Sequence, residues 1–152
     1  MAISTTQIGR LGELLVQQKF LEKGIDSSAL TTDSGIDLVA LCPNVSFTFQ
    51  VKTCFKDKPA GGKKGKPSID WYIPIDCPAD FIALVYYAKR YVWIITKSDL
   101  DEFSRDGFCQ KTPIKYHLSM YVDFNPNATV TKYMNFFDTH RFESKLKKFG
   151  NN

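Results

Sequence analysis

The sequence predicts a single α/β domain, because one well-marked helix is followed by several segments with the patterns of β-strands. The helix begins at a capping box and carries apolar residues at helical spacing. Strict alternation over residues 45–53 and apolar runs at 81–87 and 91–96 indicate strands. At 152 residues the chain has the length of one ordinary domain with a continuous core, and we see no internal repeat or linker.

The first helix is predicted from its ends. Ser4, Thr5, Thr6 and Gln7 form the capping box, good helix formers continue to Lys23, and Gly24 ends the helix. Apolar residues cover most of its circumference. We therefore expect this helix to contact a partner as well as its own sheet.

A β-hairpin is predicted next. Residues 28–31 can form a short strand, residues 36–41 have the composition of a buried strand, and Pro43-Asn44 marks the turn into a strand at 45–53. Alternation in this last strand gives two faces, Phe47, Phe49, Val51 and Thr53 on one and Thr48, Gln50 and Lys52 on the other. We expect the phenylalanines to enter the core, with Gln50 and Lys52 on a polar, solvated face about 6 to 7 Å apart.

The second half gives weaker patterns. Residues 56–66 combine lysines with Pro and Gly and predict a mobile basic loop; the lysines are Lys56, Lys58, Lys63, Lys64 and Lys66. The runs 81–87 and 91–96 predict a hairpin, and Ser98 can cap a short helix ending at Phe103. Residues 114–122 are expected to be extended, and a stretch that starts near Asn127 is expected to become helical by Phe136.

Composition excludes several classes of protein. With 43% hydrophobic and 24% charged residues the chain is a folded globular protein, and its net charge of +4 slightly favours a polyanionic partner. Its four cysteines are far apart and form no CxxC pair, so we expect buried free thiols in a reducing compartment. The sequence has no signal-peptide pattern and no apolar run of about 18 residues. We expect a cytoplasmic protein without a membrane segment.

Four polar residues form the candidate site: Glu13, Asp37, Gln50 and Lys52. Each has an ordinary explanation when taken alone, such as a turn aspartate or a solvated helical glutamate. Their combination is less ordinary, because an antiparallel hairpin brings Asp37 opposite the end of the Gln50–Lys52 strand, and the preceding helix must pack on the same sheet.

In these residues the chain resembles the PD-(D/E)XK nuclease superfamily, over about residues 7–53. The resemblance implies a restriction-endonuclease-like mixed β-sheet flanked by helices. It also implies that Asp37 is the main metal ligand, that Gln50 occupies the position of the second, and that Lys52 orients or activates water. Glu13 matches an accessory glutamate that several members carry on their first helix.

Gln50 departs from the superfamily, where most members have Glu or Asp. An amide oxygen can bind Mg²⁺ without adding charge, so metal affinity should fall unless Glu13 compensates. A Gln-x-Lys form is similar to that of a small bacterial homing endonuclease type encoded within group I introns. This resemblance implies a site-specific, metal-dependent DNA endonuclease that makes double-strand breaks.

The expected mechanism uses Mg²⁺, or Mn²⁺, held by Asp37, the Gln50 side chain and the Val51 carbonyl, with Glu13 as a ligand or an outer acceptor. The lysines of residues 56–66 are expected to bind double-stranded DNA. One such site cuts one strand, so we expect a homodimer or a higher homo-oligomer, with a tetramer possible.

Three alternatives stay open. A restriction enzyme or a Holliday-junction-resolving enzyme has the same chemistry on another substrate. A catalytically inactive nucleic-acid-binding module would keep the fold and lose the metal, as the neutral Gln50 allows. A purely structural protein with a solvated polar strand face is the least favoured, because it leaves the spacing of the motifs unexplained.

Overall fold

The chain forms two packed β-sheets with a helix on the outer side of the first. The computed structural model describes residues 2–32, 34–61, 64–122 and 142. The helices are α1 (Thr5–Glu22) and α2 (Lys97–Arg105), and a 3₁₀ turn spans Tyr87–Lys89. The strands are β1 (Asp26–Ala29), β2 (Leu38–Cys42), β3 (Val45–Cys54), β4 (Lys58–Pro59), β5 (Pro67–Pro74), β6 (Phe81–Tyr86), β7 (Tyr91–Ile95), β8 (Cys109–Lys111) and β9 (Lys115–Tyr121).

The first sheet is mixed, with strand order β1-β2-β3-β6-β7. β3 pairs in parallel with β6, and the other neighbours are antiparallel. The helix α1 covers one face, where Leu15, Val16 and Phe20 are buried against β2 and β3. The predicted α/β fold with a mixed sheet is confirmed.

A second, antiparallel sheet covers the other face of the first sheet. Its strand order is β4-β5-β9-β8. Alternate residues of β5 and β9 point inward and are buried against β6 and β7; they are Ile69, Trp71, Ile73, Tyr116, Leu118 and Met120. The indole N–H of Trp71 donates to the Val85 carbonyl at 3.1 Å, which joins the two layers. The first sheet is therefore buried on both faces, by α1 on one side and by a sheet on the other.

The N-terminal predictions agree with the structure, apart from strand boundaries. α1 begins with the predicted capping box of Ser4 and Gln7, and the turn at 43–44 joins β2 to the alternating strand β3. β1 lies two residues before the predicted 28–31, and β2 starts at Leu38 rather than Ile36. β2 is half-buried rather than buried, because α1 covers only the face of Leu38 and Ala40.

Several predictions for the second half were wrong. Thr96, not Ser98, caps α2, and it forms a capping box with Asp99. Residues 56–66 contain the short strand β4, which pairs with β5. Strands β5 and β8 were not predicted. The predicted hairpin of β6 and β7 is confirmed, and so is the extended segment at β9.

Some predictions lie outside the described residues, namely Lys63 and the helical stretch between Asn127 and Phe136. The four cysteines are free, as expected; Cys54, Cys77 and Cys109 are buried and Cys42 is half-buried. Across the described part of the chain, no helix has the length and apolar character to cross a membrane.

Candidate active site

The site is built around Asp37, which a tight turn delivers to the start of β2. Gly35 in this turn has φ +76°, and a Cβ there would lie 2.9 Å from Pro78 Cδ, so the turn requires glycine. The backbone N–H of Asp37 donates to Phe49 at 2.8 Å, and its carbonyl accepts from Leu30 at 2.9 Å. The Asp37 backbone is thus held on both sides.

The Asp37 carboxylate is also held. Oδ2 accepts a hydrogen bond from the Val51 backbone N–H at 2.6 Å. The predicted position of Asp37 opposite β3 is confirmed. In a strand the N–H and C=O of one residue point to the same side. Because β2 starts at Leu38, opposite Phe49, no β2 residue pairs with Val51, and the Val51 carbonyl faces the same side of β3 as the N–H that donates to Asp37.

Gln50 is buried, which corrects the prediction of a solvated strand face. Its exposure is 6%, because the second sheet covers this face of β3. Gln50 Oε1 has no hydrogen-bond partner within the described residues. A buried acceptor left in this state costs about 1–3 kcal/mol. The amide lies close to the Asp37 turn, with Nε2 3.9 Å from an ideal Cβ at Gly35.

Lys52 is half-buried and follows Gln50 on the same side of β3. A buried thiol, Cys77 in the connection from β5 to β6, lies within electrostatic reach of it. Burial raises the pKa of Cys77; the Ala79 backbone N–H and the charges of Lys52 and Lys97 oppose the rise, and Asp37 adds to it. The charges of Asp37, Lys52 and Lys97 therefore all act on the Cys77 thiol.

Sequence reasoning did not identify Cys77 or Lys97 as residues near the site. Lys97 is the first residue of α2, and Cys77 is held by a bond from its backbone N–H to Pro74 at 3.3 Å. No local pattern marks either residue, since they reach the site only through the crossing of the two sheets.

Glu13 is not joined to the other three residues. Its carboxylate forms an ion pair with Arg10 at 2.7 Å. α1 packs on the face of β3 that carries Thr53, opposite the face of Gln50 and Lys52, and Gly12 lies directly against Thr53. The role of Glu13 stays a prediction.

The basic segment follows β3 directly. Lys56, Lys58, Lys64 and Lys66 are exposed, and β4 is the edge strand of the second sheet. The binding of these lysines to DNA stays a prediction.

The donor set at the site consists of oxygen atoms of different kinds: the Asp37 carboxylate, the amide oxygen of Gln50 and the carbonyl of Val51. Within the described ranges, no three His, Cys, Asp or Glu side chains gather as a metal site. Hard divalent cations such as Mg²⁺ accept carboxylate, amide and backbone oxygens. The residues present fit such a cation, since it would satisfy the buried Gln50 oxygen.

Comparison with solved structures finds three matching chains. One is the bacterial homing endonuclease I-Ssp6803I, with a TM-score of 0.61, 13% sequence identity, and coverage of 96% of this chain and 92% of that chain. The two proteins share a fold. No family model and no curated protein matches the sequence.

Proposed function

We propose that this protein is a metal-dependent, site-specific DNA endonuclease of the homing type, which makes double-strand breaks by phosphodiester hydrolysis. One observation carries the proposal: Gln50 Oε1 is buried without a hydrogen-bond partner among the described residues, and the next residue of the same strand, Val51, fixes the Asp37 carboxylate. The shared fold with a homing endonuclease supports it.

Asp37, Gln50 and the Val51 carbonyl would hold Mg²⁺ or Mn²⁺, as in a PD-(D/E)XK site with Gln in the second acidic position. When bound, the cation polarises the scissile phosphate and lowers the pKa of a water molecule. The Val51 N–H donates to Asp37 Oδ2 and so holds the carboxylate in place. Glu13 would act from the opposite face only after a rearrangement of its pair with Arg10.

Lys52 would orient the attacking water or accept a proton from it. Lys52 is half-buried and directly follows the two proposed ligands on β3, Gln50 and Val51. Lys97 adds a second positive charge to the site. Lys56, Lys58, Lys63, Lys64 and Lys66 would bind the phosphates of double-stranded DNA.

Cleavage of both strands would require a second copy of the chain, in a homodimer or a higher homo-oligomer. Leu14 and Leu21 of α1 are 47% and 67% exposed, which supports a self-association surface on this helix. Sedimentation of the purified protein, with and without DNA, would give the number of copies.

The roles of Asp37 and Lys52 can be tested by comparing cleavage with binding. We expect Asp37→Ala and Lys52→Ala to abolish Mg²⁺-dependent cleavage of a cleavable duplex while gel-shift affinity survives. Lys23→Ala is the matched control, because it removes one exposed lysine from the far end of α1. Cleavage by Lys52→Ala at the rate of wild type would contradict the proposal.

The neutral Gln50 favours one rival, an inactive nucleic-acid-binding module. Calorimetric titration of Mn²⁺ into wild type and Asp37→Ala separates the two. An endonuclease should lose most of its Mn²⁺ affinity in the variant, whereas an inactive module would show the same titration for both proteins. Assays on four-way junctions against linear duplexes would separate homing from junction resolution.

A further inference from the structure

The outward surface of the second sheet carries polar and aromatic side chains. We call it the outer face; it consists of Lys58, Ser68, Asp70, Tyr72, Gln110, Lys115, His117, Ser119 and Tyr121. Inward residues of β5 and β9 are buried, and the outward ones are half-buried or exposed. This face is polar and aromatic, with hydroxyl, amide and imidazole groups between its aromatic rings.

The strand register arranges these residues in rows. One row contains Lys58, Ser68 and Tyr121, and another contains Tyr72, His117 and Gln110. Tyr72 and His117 stack with ring centroids 4.3 Å apart and an interplanar angle of 11°. Tyr72 and Tyr121 are 49% and 44% exposed, so part of each aromatic side chain is open to a ligand.

The charges on the outer face are mostly positive. Lys58 and Lys115 stand at opposite ends, and the Lys115 amine lies 4.4 Å from the Tyr72 ring centroid. The acidic Asp70 is paired with His117 at 3.1 Å. Lys115 and Tyr121 are six residues apart on β9, and Tyr121 shares its row with Lys58. Six residues of a strand span about 20 Å, whereas the major groove is about 12 Å wide. The lysines can therefore reach the backbones on both sides of a groove.

Hydrogen-bonding groups lie between the two charged ends. Gln110, His117, Ser119 and Tyr121 line a shallow pocket of about 310 Å³, with Gly107, Phe108 and Cys109 forming the rest of its wall. Gln and Ser side chains pair with base edges in DNA grooves, and aromatic side chains make apolar or stacking contacts with bases.

We propose that the outer face binds duplex DNA in a groove, away from the scissile phosphate, and supplies base contacts that select the target. This inference rests on the proposed function, since it concerns the same DNA. The Lys115 end of the outer face is the end that adjoins the candidate site. There the Ile75 N–H donates to the Ile114 carbonyl at 3.1 Å, and two residues later the chain reaches Cys77. A duplex that passes the site can thus continue across β5 and β9.

The first test measures binding of a fluorescein-labelled random-sequence duplex to the full chain by anisotropy, without divalent cations. Lys115→Ala should weaken binding and reduce the slope of log affinity against log salt by about 0.9, because one phosphate contact is lost. Lys23→Ala removes the same charge at the far end of α1 and should leave the slope unchanged. Equal slopes for Lys115→Ala and wild type overturn the proposal.

A second test locates the base contacts. A duplex substituted with 5-iododeoxyuridine is irradiated with the protein, and cross-linked peptides are identified by mass spectrometry. We expect cross-links to Tyr121, Tyr72 or His117. In Tyr121→Ser, the peptide that contains residue 121 should no longer be cross-linked. Cross-links confined to other surfaces overturn the proposal. The proposal is also overturned if wild type sediments as an oligomer and Tyr121→Ser as a monomer, because the outer face would then be an interface between copies.

The two proposals fail separately. If the outer-face variants lose affinity and cross-links while no cleavage is seen with Mg²⁺, the outer face is a DNA surface and the endonuclease assignment is wrong. If the wild type cleaves DNA and the outer-face variants bind and cleave as well as wild type, the endonuclease assignment stands and the outer face has no such role.

Discussion

Asp37 is held by its neighbours at three points, the two backbone hydrogen bonds and the bond from Val51 to its carboxylate. These bonds fix the carboxylate before any ligand arrives, which reduces the cost of ordering a metal site. Gly35 makes the arrangement possible, because its positive φ and its contact with Pro78 leave no room for a side chain.

Gly35→Ala should therefore disturb both stability and metal binding. Placing Ala at positive φ costs about 1–2 kcal/mol, and the contact with Pro78 adds to it. Gly24→Ala is the matched control, because Gly24 has φ +72° with nothing within 4 Å of its Cβ position. Urea unfolding should show a lower free energy of unfolding for both variants. Mn²⁺ titration should show weaker binding for Gly35→Ala alone. Unchanged Mn²⁺ affinity in Gly35→Ala would mean that the turn does not position a ligand.

Gln50→Glu tests the buried amide. A glutamate there buries a charge in the metal-free protein, so the free energy of unfolding without metal should fall. With metal bound the added charge favours the cation, and Mn²⁺ should raise the melting temperature more in the variant than in wild type. Thermal melts with and without Mn²⁺ measure this difference. A smaller rise in the variant would place the metal elsewhere.

At the scale of elements, Gly12 fixes the distance between α1 and β3. A Cβ on Gly12 would lie 1.8 Å from Thr53 Oγ1, which is itself buried. Helix–sheet packing thus explains why the residue before Glu13 is a glycine. The structure gives no comparable contact for Glu13 beyond its pair with Arg10.

Gly12→Ala should lower the free energy of unfolding by about 1–3 kcal/mol, because α1 must move away from β3. Gly9→Ala is the control on the same helix, since nothing lies within 4 Å of its Cβ position. It should stabilise α1 by about 1 kcal/mol, the difference in helix propensity. Denaturant unfolding measures both, and equal effects would show that close packing is not what Gly12 provides.

Asp101 links α2 to the second sheet. It accepts hydrogen bonds from Lys111 at 2.6 Å and from the Tyr116 hydroxyl at 2.7 Å, and these bonds lower the pKa of Asp101 below its ordinary 3.8. A depressed folded pKa contributes stability above the unfolded value, and that stability is lost as the pH falls through the folded pKa.

Lys111→Ala should return the Asp101 pKa toward its ordinary value, because the largest cause of the shift is removed. A ¹³C carboxyl NMR titration between wild type and variant measures the change. Lys115→Ala is the control, since its amine lies over Tyr72 on the outer face. An unchanged Asp101 titration in Lys111→Ala would show that the hydrogen bond does not form in solution.

The elements with strong local signals could be predicted from sequence, and those that depend on distant partners could not. α1 has a capping box, and β3 has nine residues of alternation. β5 alternates as well, with Ile69, Trp71 and Ile73 inward, but proline at each end obscured the pattern. Because β5 was not predicted, nothing indicated that its sheet buries Gln50.

For the site, parity and hairpin pairing were enough to bring Asp37 opposite β3 and to place Gln50 and Lys52 on one face. Cys77 and Lys97 could not be predicted, because Cys77 lies in the connection after β5 and Lys97 begins α2 after β7, both far from β3 in sequence. Their position depends on the packing of two sheets, which no local pattern encodes.

At the scale of the whole molecule, two hydrophobic clusters lie on opposite faces of β3 and β6. Val16 belongs to the α1 side and Leu118 to the second sheet. Shared strands should couple the two clusters, so a single unfolding transition is expected.

Val16→Ala and Leu118→Ala test this coupling. Both residues are fully buried, and Leu118→Ala should cost about 2–5 kcal/mol, with a smaller loss for Val16→Ala. Each variant should shift the whole transition, with far-UV circular dichroism and the fluorescence of Trp71 and Trp93 changing together. Separate transitions for the two probes would indicate two units rather than the predicted single domain.

The most direct measurement is a cleavage map of the wild-type protein on a library of random duplex DNA with Mg²⁺, beside Asp37→Ala and an EDTA control. We expect double-strand cleavage at one long target, present only with the divalent cation and absent in Asp37→Ala. Failure of the wild type to cut any duplex with Mg²⁺ or Mn²⁺, or equal cutting by Asp37→Ala, would contradict the proposed metal-dependent site.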